Sequence, residues 1–184
     1  MQYKNISVIG LGYIGLPTAA MFASCGASVI GVDVSSKAVE TINQGNIHII
    51  EPGLEKLVRE NVKNGKLKAV YKPEPADAFL IAVPTPLKID NLDAPEPDLS
   101  FIKAACLSIS PVLKKGCLIV LESTSPVGTT EKVTKWLSDA RPDLKFPSIH
   151  EGEADVFVAY CPERVLPGRA IDELVHNDRI IGGM

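Results

Sequence analysis

The stretch that decides the fold lies near the amino terminus and reads Ile6-Ser-Val-Ile-Gly10-Leu-Gly12-Tyr-Ile-Gly15. An apolar run, a turn with the spacing G-x-G-x-x-G and a helix-compatible segment over residues 14–23 follow one another, which is typical of a dinucleotide-binding βαβ unit. Gly10 permits the tight turn, Gly12 lets the backbone approach a pyrophosphate, and Gly15 lets the helix pack closely on the strand. Free N–H groups at the positive end of the helix dipole can then hold phosphates without a basic side chain.

A carboxylate closes this unit. The second apolar run, residues 28–32, is followed directly by Asp33. In dinucleotide-binding units, the acid that binds the adenosine ribose hydroxyls lies roughly 20 residues after the last glycine, and Asp33 is close to that position. A carboxylate there would repel a 2′-phosphate, and no arginine follows in Val34, Ser35 or Ser36. The pattern therefore predicts NAD rather than NADP. Two simpler interpretations stay open: a chance glycine spacing, and Asp33 as a cap of the strand end.

The length and composition of the chain are typical of an ordinary globular protein. With 184 residues, 46% of them hydrophobic, it can bury one core and is predicted to form a single domain over residues 1–184. The net charge of −3 is spread along the chain, so neither nucleic acid nor a membrane surface is an expected partner. With no apolar run near the roughly 18 residues of a transmembrane helix and no room for a signal peptide, a cytoplasmic location is expected.

The cysteines indicate neither a metal site nor a disulfide framework. No C-x-x-C pair and no neighbouring histidine occurs among the four, which are Cys25, Cys106, Cys117 and Cys161. We expect them to be reduced, and the first three to be buried as small hydrophobic side chains.

Strand-like and helix-like runs alternate, which predicts a doubly wound, mostly parallel α/β sheet of the Rossmann type. Further strands are predicted over residues 67–70, 78–83, 117–121, 156–160 and 179–181. Helices are predicted over residues 35–44, 53–64, 98–113 and 128–136. Two segments are predicted to be irregular: a proline- and aspartate-rich candidate functional loop at 84–97, and an exposed insertion at 141–155.

Three loops at predicted carboxyl ends of strands are expected to converge on the crevice beside the glycine turn, where open α/β sheets bind ligands. In the first, residues 83–86, prolines stiffen a turn and Thr85 offers a hydroxyl to a ribose or nicotinamide. The second, residues 122–130, opens a helix at Gly128, and the third covers residues 160–168. Plain strand-to-helix turns are the alternative interpretation of the first two.

Six stretches, in order, resemble the amino-terminal domain of the UDP-glucose/GDP-mannose dehydrogenase family: residues 10–17, 50–54, 83–86, 122–130, 161–168 and 177–183. Within the family, Cys161-Pro-Glu-Arg-Val-Leu-Pro-Gly168 and Asn177-Asp-Arg-Ile-Ile-Gly-Gly183 are similar to the UDP-N-acetyl-D-mannosamine dehydrogenase branch. The resemblance implies an NAD-dependent oxidation of a UDP-sugar C6 alcohol to a carboxylate with two NAD, through a thioester on a cysteine. It also implies a role in surface polysaccharide synthesis.

The resemblance implies roles for individual residues as well. The cofactor side would comprise Gly10, Gly12, Tyr13, Ile14, Gly15 and Asp33 at the adenosine and pyrophosphate end, and Val83, Pro84, Thr85, Thr124 and Thr130 nearer the nicotinamide. The substrate side would comprise Glu163, Arg164, Val165 and Leu166. Glu163 would position or activate the hydrolytic water. A plain Glu163–Arg164 ion pair at a domain edge is the alternative.

Some features of the family have no counterpart here. Where UDP-glucose dehydrogenases often carry a second acid shortly after the glutamate, this chain has Pro167. The nucleophilic cysteine and catalytic lysine are also without a match, and Cys161 is not expected to replace the cysteine, because it stands where relatives have asparagine. The resemblance thus implies the first part of a longer, homodimeric enzyme, itself inactive and able to be monomeric.

Other interpretations remain. Another UDP-sugar, such as UDP-glucose or UDP-N-acetylglucosamine, could be the substrate. A β-hydroxyacid dehydrogenase is disfavoured by Glu51-Pro-Gly and Pro162-Glu-Arg. A non-catalytic NAD-sensing module is disfavoured because no DNA-binding element or interaction surface is visible.

Overall fold

The computed structural model describes residues 3–88, 96–147 and 152–184. Its strands are β1 (Asn5–Ile9), β2 (Ser28–Val32), β3 (Leu67–Val70), β4 (Ala78–Ile81), β5 (Leu87–Lys88), β6 (Glu96–Pro97), β7 (Leu118–Leu121), β8 (Phe157–Tyr160) and β9 (Gly182–Gly183). Its helices are α1 (Gly15–Ser24), α2 (Ser36–Asn43), α3 (Leu54–Lys63), α4 (Ser100–Ile109), α5 (Thr129–Ala140) and α6 (Ala170–His176).

The predicted doubly wound sheet is confirmed. Its strand order is β3-β2-β1-β4-β7-β8-β9, with parallel pairing throughout except for β9, which runs antiparallel to β8. After β3 the chain crosses to the other side of β1, so β1 and β4 lie at the point where the strand order reverses. The carboxyl ends of β1, β4, β7 and β8 therefore stand side by side at one edge, where such sheets bind ligands.

Helices cover both faces of the sheet, which explains why β4 and β7 are continuously apolar. All four residues of β4 are buried. Phe79 and Ile81 belong to a core cluster with α4 and α5, while Leu80 belongs to a second cluster with α1, α2 and α3. Burial on both faces leaves the ends of the strands as the place where polar side chains can face solvent.

Capping side chains account for the positions at which α2 and α4 begin. The Ser35 hydroxyl accepts a hydrogen bond from the N–H of Ala38 at 3.3 Å, as expected of a serine cap at the start of α2. The helix α4 begins beside Asp98, whose carboxylate accepts the N–H of Ser100 at 2.9 Å. Such caps satisfy N–H groups that a helix leaves without an internal partner.

Several sequence predictions are wrong in detail. The last strand is β9 rather than residues 179–181, because the Arg179 side chain turns inward to two carboxylates and pairing with β8 begins only at Gly182. The insertion at 141–155 is not wholly exposed, since Leu144 and Phe146 are buried in the core. Cys25 is exposed rather than buried, because it follows the last turn of α1.

Other differences are additions. The helix α6 was not predicted, and the loop at 84–97 contains the short antiparallel pair β5 and β6. The rest of that loop, residues 89–95, and residues 148–151 of the insertion lie outside the described residues.

All four cysteines are free thiols. In the ranges that the structure describes, no helix combines the length and apolar character needed to cross a membrane.

Candidate functional site

A cavity of about 660 Å³ opens at the carboxyl ends of the central strands. Eleven of the residues proposed from sequence line it, namely Gly10, Gly12, Tyr13, Ile14, Asp33, Val83, Pro84, Thr85, Thr124, Glu163 and Val165. They come together because the loops after adjacent parallel strands meet at one edge of the sheet. The four others, Gly15, Thr130, Arg164 and Leu166, are not among the lining residues of this cavity.

The glycine turn has the shape that a pyrophosphate needs. Gly10 has a φ of +94°, and a Cβ on it would lie 2.6 Å from the carbonyl oxygen of Ala82. A Cβ on Gly15 would lie 1.8 Å from the carbonyl oxygen of Gly10, so the fold itself requires both glycines. A Cβ on Gly12 would meet no atom within 4 Å. The empty space above Gly12 therefore lies on the cavity side and is available to a ligand.

The same turn presents unpaired donors. Among the described residues, the backbone N–H groups of Gly12, Tyr13 and Ile14 donate no hydrogen bond, and Ile14, the N-cap of α1, offers no side-chain cap. A helix start without caps leaves N–H groups that favour an anion. These residues fit the diphosphate of a dinucleotide.

Asp33 both holds this turn and faces the cavity. Its Oδ2 accepts the N–H of Leu11 at 2.9 Å and its Oδ1 accepts the N–H of Ser35 at 2.9 Å. A carboxylate has about four lone-pair positions, so each oxygen can still accept a hydroxyl. The strand-end cap and the ribose-binding role are therefore compatible, and sequence reasoning missed the bond to Leu11.

The loops after β4 and β7 are joined by hydrogen bonds. Thr85 Oγ1 donates to the carbonyl of Thr124 at 2.7 Å, and Ser123 Oγ donates to the carbonyl of Val83 at 2.8 Å. The Thr85 hydroxyl proton is thus used within the protein, which leaves its oxygen as an acceptor for a ligand. These bonds give one rigid wall of the cavity.

The residues outside the cavity have other surroundings. Gly15 lies beneath the turn, and Thr130 lies on α5, where its carbonyl accepts the hydroxyl of Thr134 at 3.0 Å. Arg164 and Leu166 are exposed on the loop after β8. The N–H of Leu166 donates to Glu173 Oε2 at 2.8 Å.

The loop after β8 brings Glu163 to the cavity beside a second carboxylate. Glu163 pairs with Arg179, and it accepts the backbone N–H of Arg164 at 2.7 Å instead of pairing with the Arg164 side chain. Arg179 Nη1 also lies 3.5 Å from Glu122 Oε1. Burial, followed by the charge of Glu163, raises the pKa of Glu122 to about 7.

Sequence reasoning did not select Glu122 and Arg179 as site residues. One available signal was an acid directly after the buried strand β7, since a charged side chain is costly there without a partner. Tyr71 and Phe101 also line the cavity although they are 51% and 45% exposed. No motif marks them, and such exposed rings are suited to cover a bound ligand.

Glu51, from the Glu-Pro-Gly stretch, supports the loop after β8 from outside the cavity. Its side chain is buried, and it accepts the N–H of Gly168 at 2.7 Å and the N–H of Ala170 at 2.8 Å. The carboxylate thereby caps the start of α6. In the part of the chain covered by the structure, no group of three or more His, Cys, Asp or Glu side chains is placed to hold a metal ion.

Comparisons with known proteins agree with this geometry. The sequence profile of the UDP-glucose/GDP-mannose dehydrogenase family, NAD binding domain, matches residues 4–184. UDP-N-acetyl-D-mannosamine dehydrogenase of Yersinia pestis is 62% identical over 184 residues, which are 100% of this chain and 43% of the relative. NDP-N-acetyl-D-galactosaminuronic acid dehydrogenase of Ralstonia nicotianae (strain ATCC BAA-1114 / GMI1000) is 61% identical over the same 184 residues, again 43% of its length.

A solved structure gives the same result. The UDP-D-ManNAc dehydrogenase of Pyrococcus horikoshii superposes with a TM-score of 0.87 at 43% identity, covering 97% of this chain and 41% of that one. This chain therefore spans about 43% of the length of the curated relatives described above.

Proposed function

This chain belongs to the UDP-glucose/GDP-mannose dehydrogenase family as its NAD-binding domain, and we propose that it serves an enzyme that oxidises UDP-N-acetyl-D-mannosamine at C6 to the carboxylate. The observation that carries the proposal is the cavity that joins the glycine turn to Glu163. One end is suited to a dinucleotide and the other to the reacting sugar. Bound NAD supplies the hydride acceptor for each of the two oxidation steps.

The chain's own residues would hold the cofactor in sequence order. The N–H groups of Gly12, Tyr13 and Ile14 bind the pyrophosphate, and Asp33 accepts hydrogen bonds from the ribose. The wall after β4 and β7, with Val83, Pro84, Thr85 and Thr124, faces the nicotinamide end. Gly15 acts through the shape of the turn, and Thr130 would act only through the start of α5.

The loop after β8 would face the nucleotide sugar. Glu163 is buried in the cavity wall, where a carboxylate can orient a water and remove its proton during hydrolysis of an acyl intermediate. Val165 lines the same cavity, whereas Arg164 and Leu166 are exposed and available to a substrate or to another part of the protein.

The complete reaction requires groups beyond these. We propose that the nucleophilic cysteine and the catalytic lysine belong to a longer protein, that the 184-residue chain is inactive alone, and that the full enzyme is a cytoplasmic homodimer. Its product would supply a surface polysaccharide.

A closely related substrate is the second candidate. The Ralstonia relative is named for an N-acetyl-D-galactosaminuronic acid and is 61% identical, nearly as similar as the Yersinia relative. The choice between these two stereoisomeric sugars therefore requires a direct assay.

Cofactor binding is tested by thermal unfolding of the chain with NAD. A ligand at about 100 times its dissociation constant stabilises the folded state by about 2.7 kcal/mol. We expect a concentration-dependent rise in Tm with NAD and a much smaller rise with NADP. No rise at millimolar NAD would overturn the binding proposal.

Substrate choice is tested with the full-length protein. NADH production is followed with UDP-N-acetyl-D-mannosamine, the N-acetylgalactosamine and N-acetylglucosamine analogues, UDP-glucose and small hydroxyacids. We expect the highest kcat/KM with the mannosamine and two NADH per sugar. Preference for a hydroxyacid would contradict the proposal.

A further inference from the structure

Two buried carboxylates in the cavity wall share one guanidinium. Glu163 Oε2 contacts Arg179 Nη2, while Glu122 Oε1 lies 3.5 Å from Arg179 Nη1. The side chains of Glu122 and Glu163 are only 2% and 5% exposed. One positive charge cannot neutralise two carboxylates, so the group carries a net negative charge in a poorly solvated place whenever both are ionised.

The two carboxylates are not equally supported. Glu163 accepts both the Arg179 guanidinium and the N–H of Arg164, one on each oxygen. Glu122 Oε1 has the Thr18 hydroxyl at 3.4 Å and Arg179 at 3.5 Å. Its Oε2 is buried and has no hydrogen-bond partner among the residues that the structure describes. Hydrogen bonds favour the charged form, so a proton shared by the pair resides on Glu122.

Accordingly, we propose that Glu122 is a positioning residue for Glu163 and that it competes with Glu163 for Arg179 only when it is ionised. With Glu122 protonated, Arg179 pairs with Glu163 alone. With Glu122 ionised, the guanidinium is divided between two like charges, so Arg179 holds Glu163 less tightly and leaves its carboxylate freer to accept a water. The inference rests on the proposed role of Glu163 toward water.

The surroundings place this competition in the neutral pH range. Burial and the charge of Glu163 raise the pKa of Glu122 to about 7. Within the described ranges, the other groups that face the pair or its arginine are the uncharged Thr18 hydroxyl on α1 and the thiol of Cys161, whose sulfur lies 3.7 Å from Arg179 Nη1. Protonation of Glu122 is therefore the event that changes how Arg179 is shared.

The arrangement also bears on Pro167. Between Glu163 and Gly168, the loop after β8 carries no second acid and has Pro167. The fold supplies a second carboxylate from the end of β7 instead, because β7 and β8 are neighbours and the N–H of Glu163 donates to the Glu122 carbonyl at 3.3 Å.

The direct test is an NMR titration of the 184-residue chain with ¹³C-labelled glutamate carboxyl groups, from about pH 5 to about pH 9. We expect the Glu163 carboxyl carbon to shift with the same midpoint as Glu122, near pH 7. In Glu122→Gln this step at Glu163 should disappear. The control Asp155→Asn, which removes a carboxylate paired with Lys115, should keep it.

Two results would overturn the inference. One is a Glu163 signal in the unsubstituted chain without a step at the Glu122 midpoint, which needs no variant to fold. The other is an unchanged step in Glu122→Gln.

Activity provides a separate readout. In the full-length enzyme, kcat of Glu122→Gln should lose its rise through neutral pH and fall by up to about tenfold above it, with KM for the sugar unchanged. An unaltered pH profile would contradict the positioning role. If no nucleotide sugar is oxidised at all, the proposed function fails, whereas the titration still decides whether the two carboxylates are coupled.

Discussion

At the scale of single residues, the glycines of the turn have two different roles: some are required by backbone packing, and one leaves space for a ligand. Gly10 and Gly15 are required by neighbouring backbone atoms, because a Cβ on either would overlap a carbonyl oxygen. Gly12 has open space instead. The three positions of one motif should therefore respond differently to the same substitution.

Gly12→Ala is expected to leave the free energy of unfolding within about 1 kcal/mol of the original value, since the added methyl meets no protein atom. It should abolish stabilisation by NAD, because the methyl occupies the space that the pyrophosphate needs. Urea unfolding with and without NAD measures both effects. The matched variant Gly15→Ala should destabilise the chain by about 3 kcal/mol or more. Equal losses of stability in the two variants would contradict this division.

Asp33→Asn is expected to weaken NAD binding by about 10- to 100-fold, since a hydrogen bond to a charged group contributes about 1.5–3 kcal/mol. Discrimination against NADP should fall as well, because the amide no longer repels a 2′-phosphate. Calorimetric titration with both cofactors measures the two constants. Asp98→Asn is the control, as this carboxylate accepts the N–H of Ser100 outside the cavity. Unchanged selectivity would argue against a ribose-binding Asp33.

At the scale of elements, the loop after β8 and helix α6 are held by a carboxylate from a distant part of the chain. Glu51 precedes α3, yet it accepts the first N–H groups around the start of α6. A seven-residue helix is too short to be stable by itself, so its position depends on this contact and on packing against α1. This dependence explains why α6 escaped prediction from local pattern.

Glu51→Gln is expected to lower the free energy of unfolding by about 2–3 kcal/mol, because an amide can accept only one of the two N–H groups and loses the charge. Hydrogen exchange should speed up most at Gly168 and Ala170. NAD should still stabilise the variant, since Glu51 does not line the cavity. Glu55→Gln, which affects an exposed pair with Arg59 on α3, should change neither quantity. Uniform exchange across the chain would show that the effect is not local.

At the scale of the whole molecule, one carboxylate ties the amino end of the sheet together. Asp77 Oδ2 accepts the N–H groups of Asn5 and Lys4 at 3.0 and 3.2 Å, and its Oδ1 accepts Lys114 Nζ at 2.9 Å. The N–H of Asn5, followed by Lys114, lowers the pKa of Asp77 to about 2. Three separate segments meet at this residue, opposite the cavity end of the sheet.

Asp77→Asn is expected to lower the free energy of unfolding by about 1–2 kcal/mol at neutral pH, with allowance for solvent screening. Because the folded-state pKa is depressed, this contribution is complete above the ordinary value of 3.8 and disappears as the pH falls through about 2. Urea unfolding at several pH values should show the variant and the original chain converging in acid. Asp139→Asn, at an exposed pair with Lys135, should not change stability. A difference that persists at low pH would rule out the charge as its cause.

Much of the fold was predictable from local sequence. The apolar runs, the serine cap at Ser35 and the spacing from Gly10 to Gly15 act over a few residues, and each sets a backbone conformation directly. The preference for NAD also came from one short unit ending at Asp33. The parallel order of strands then followed from the alternation of strand and helix.

The tertiary structure decided the rest. Three features depend on residues that are far apart in the sequence. They are the contacts of Arg179 with Glu122 and Glu163, the contact of Glu51 with Gly168, and the burial of Phe146 in the core. The position of the last strand was decided in the same way, by the inward turn of Arg179. Local spacing determines backbone geometry and helix dipoles, whereas the pairing and burial of distant charges depend on which strands become neighbours, and that is settled only when the sheet is assembled.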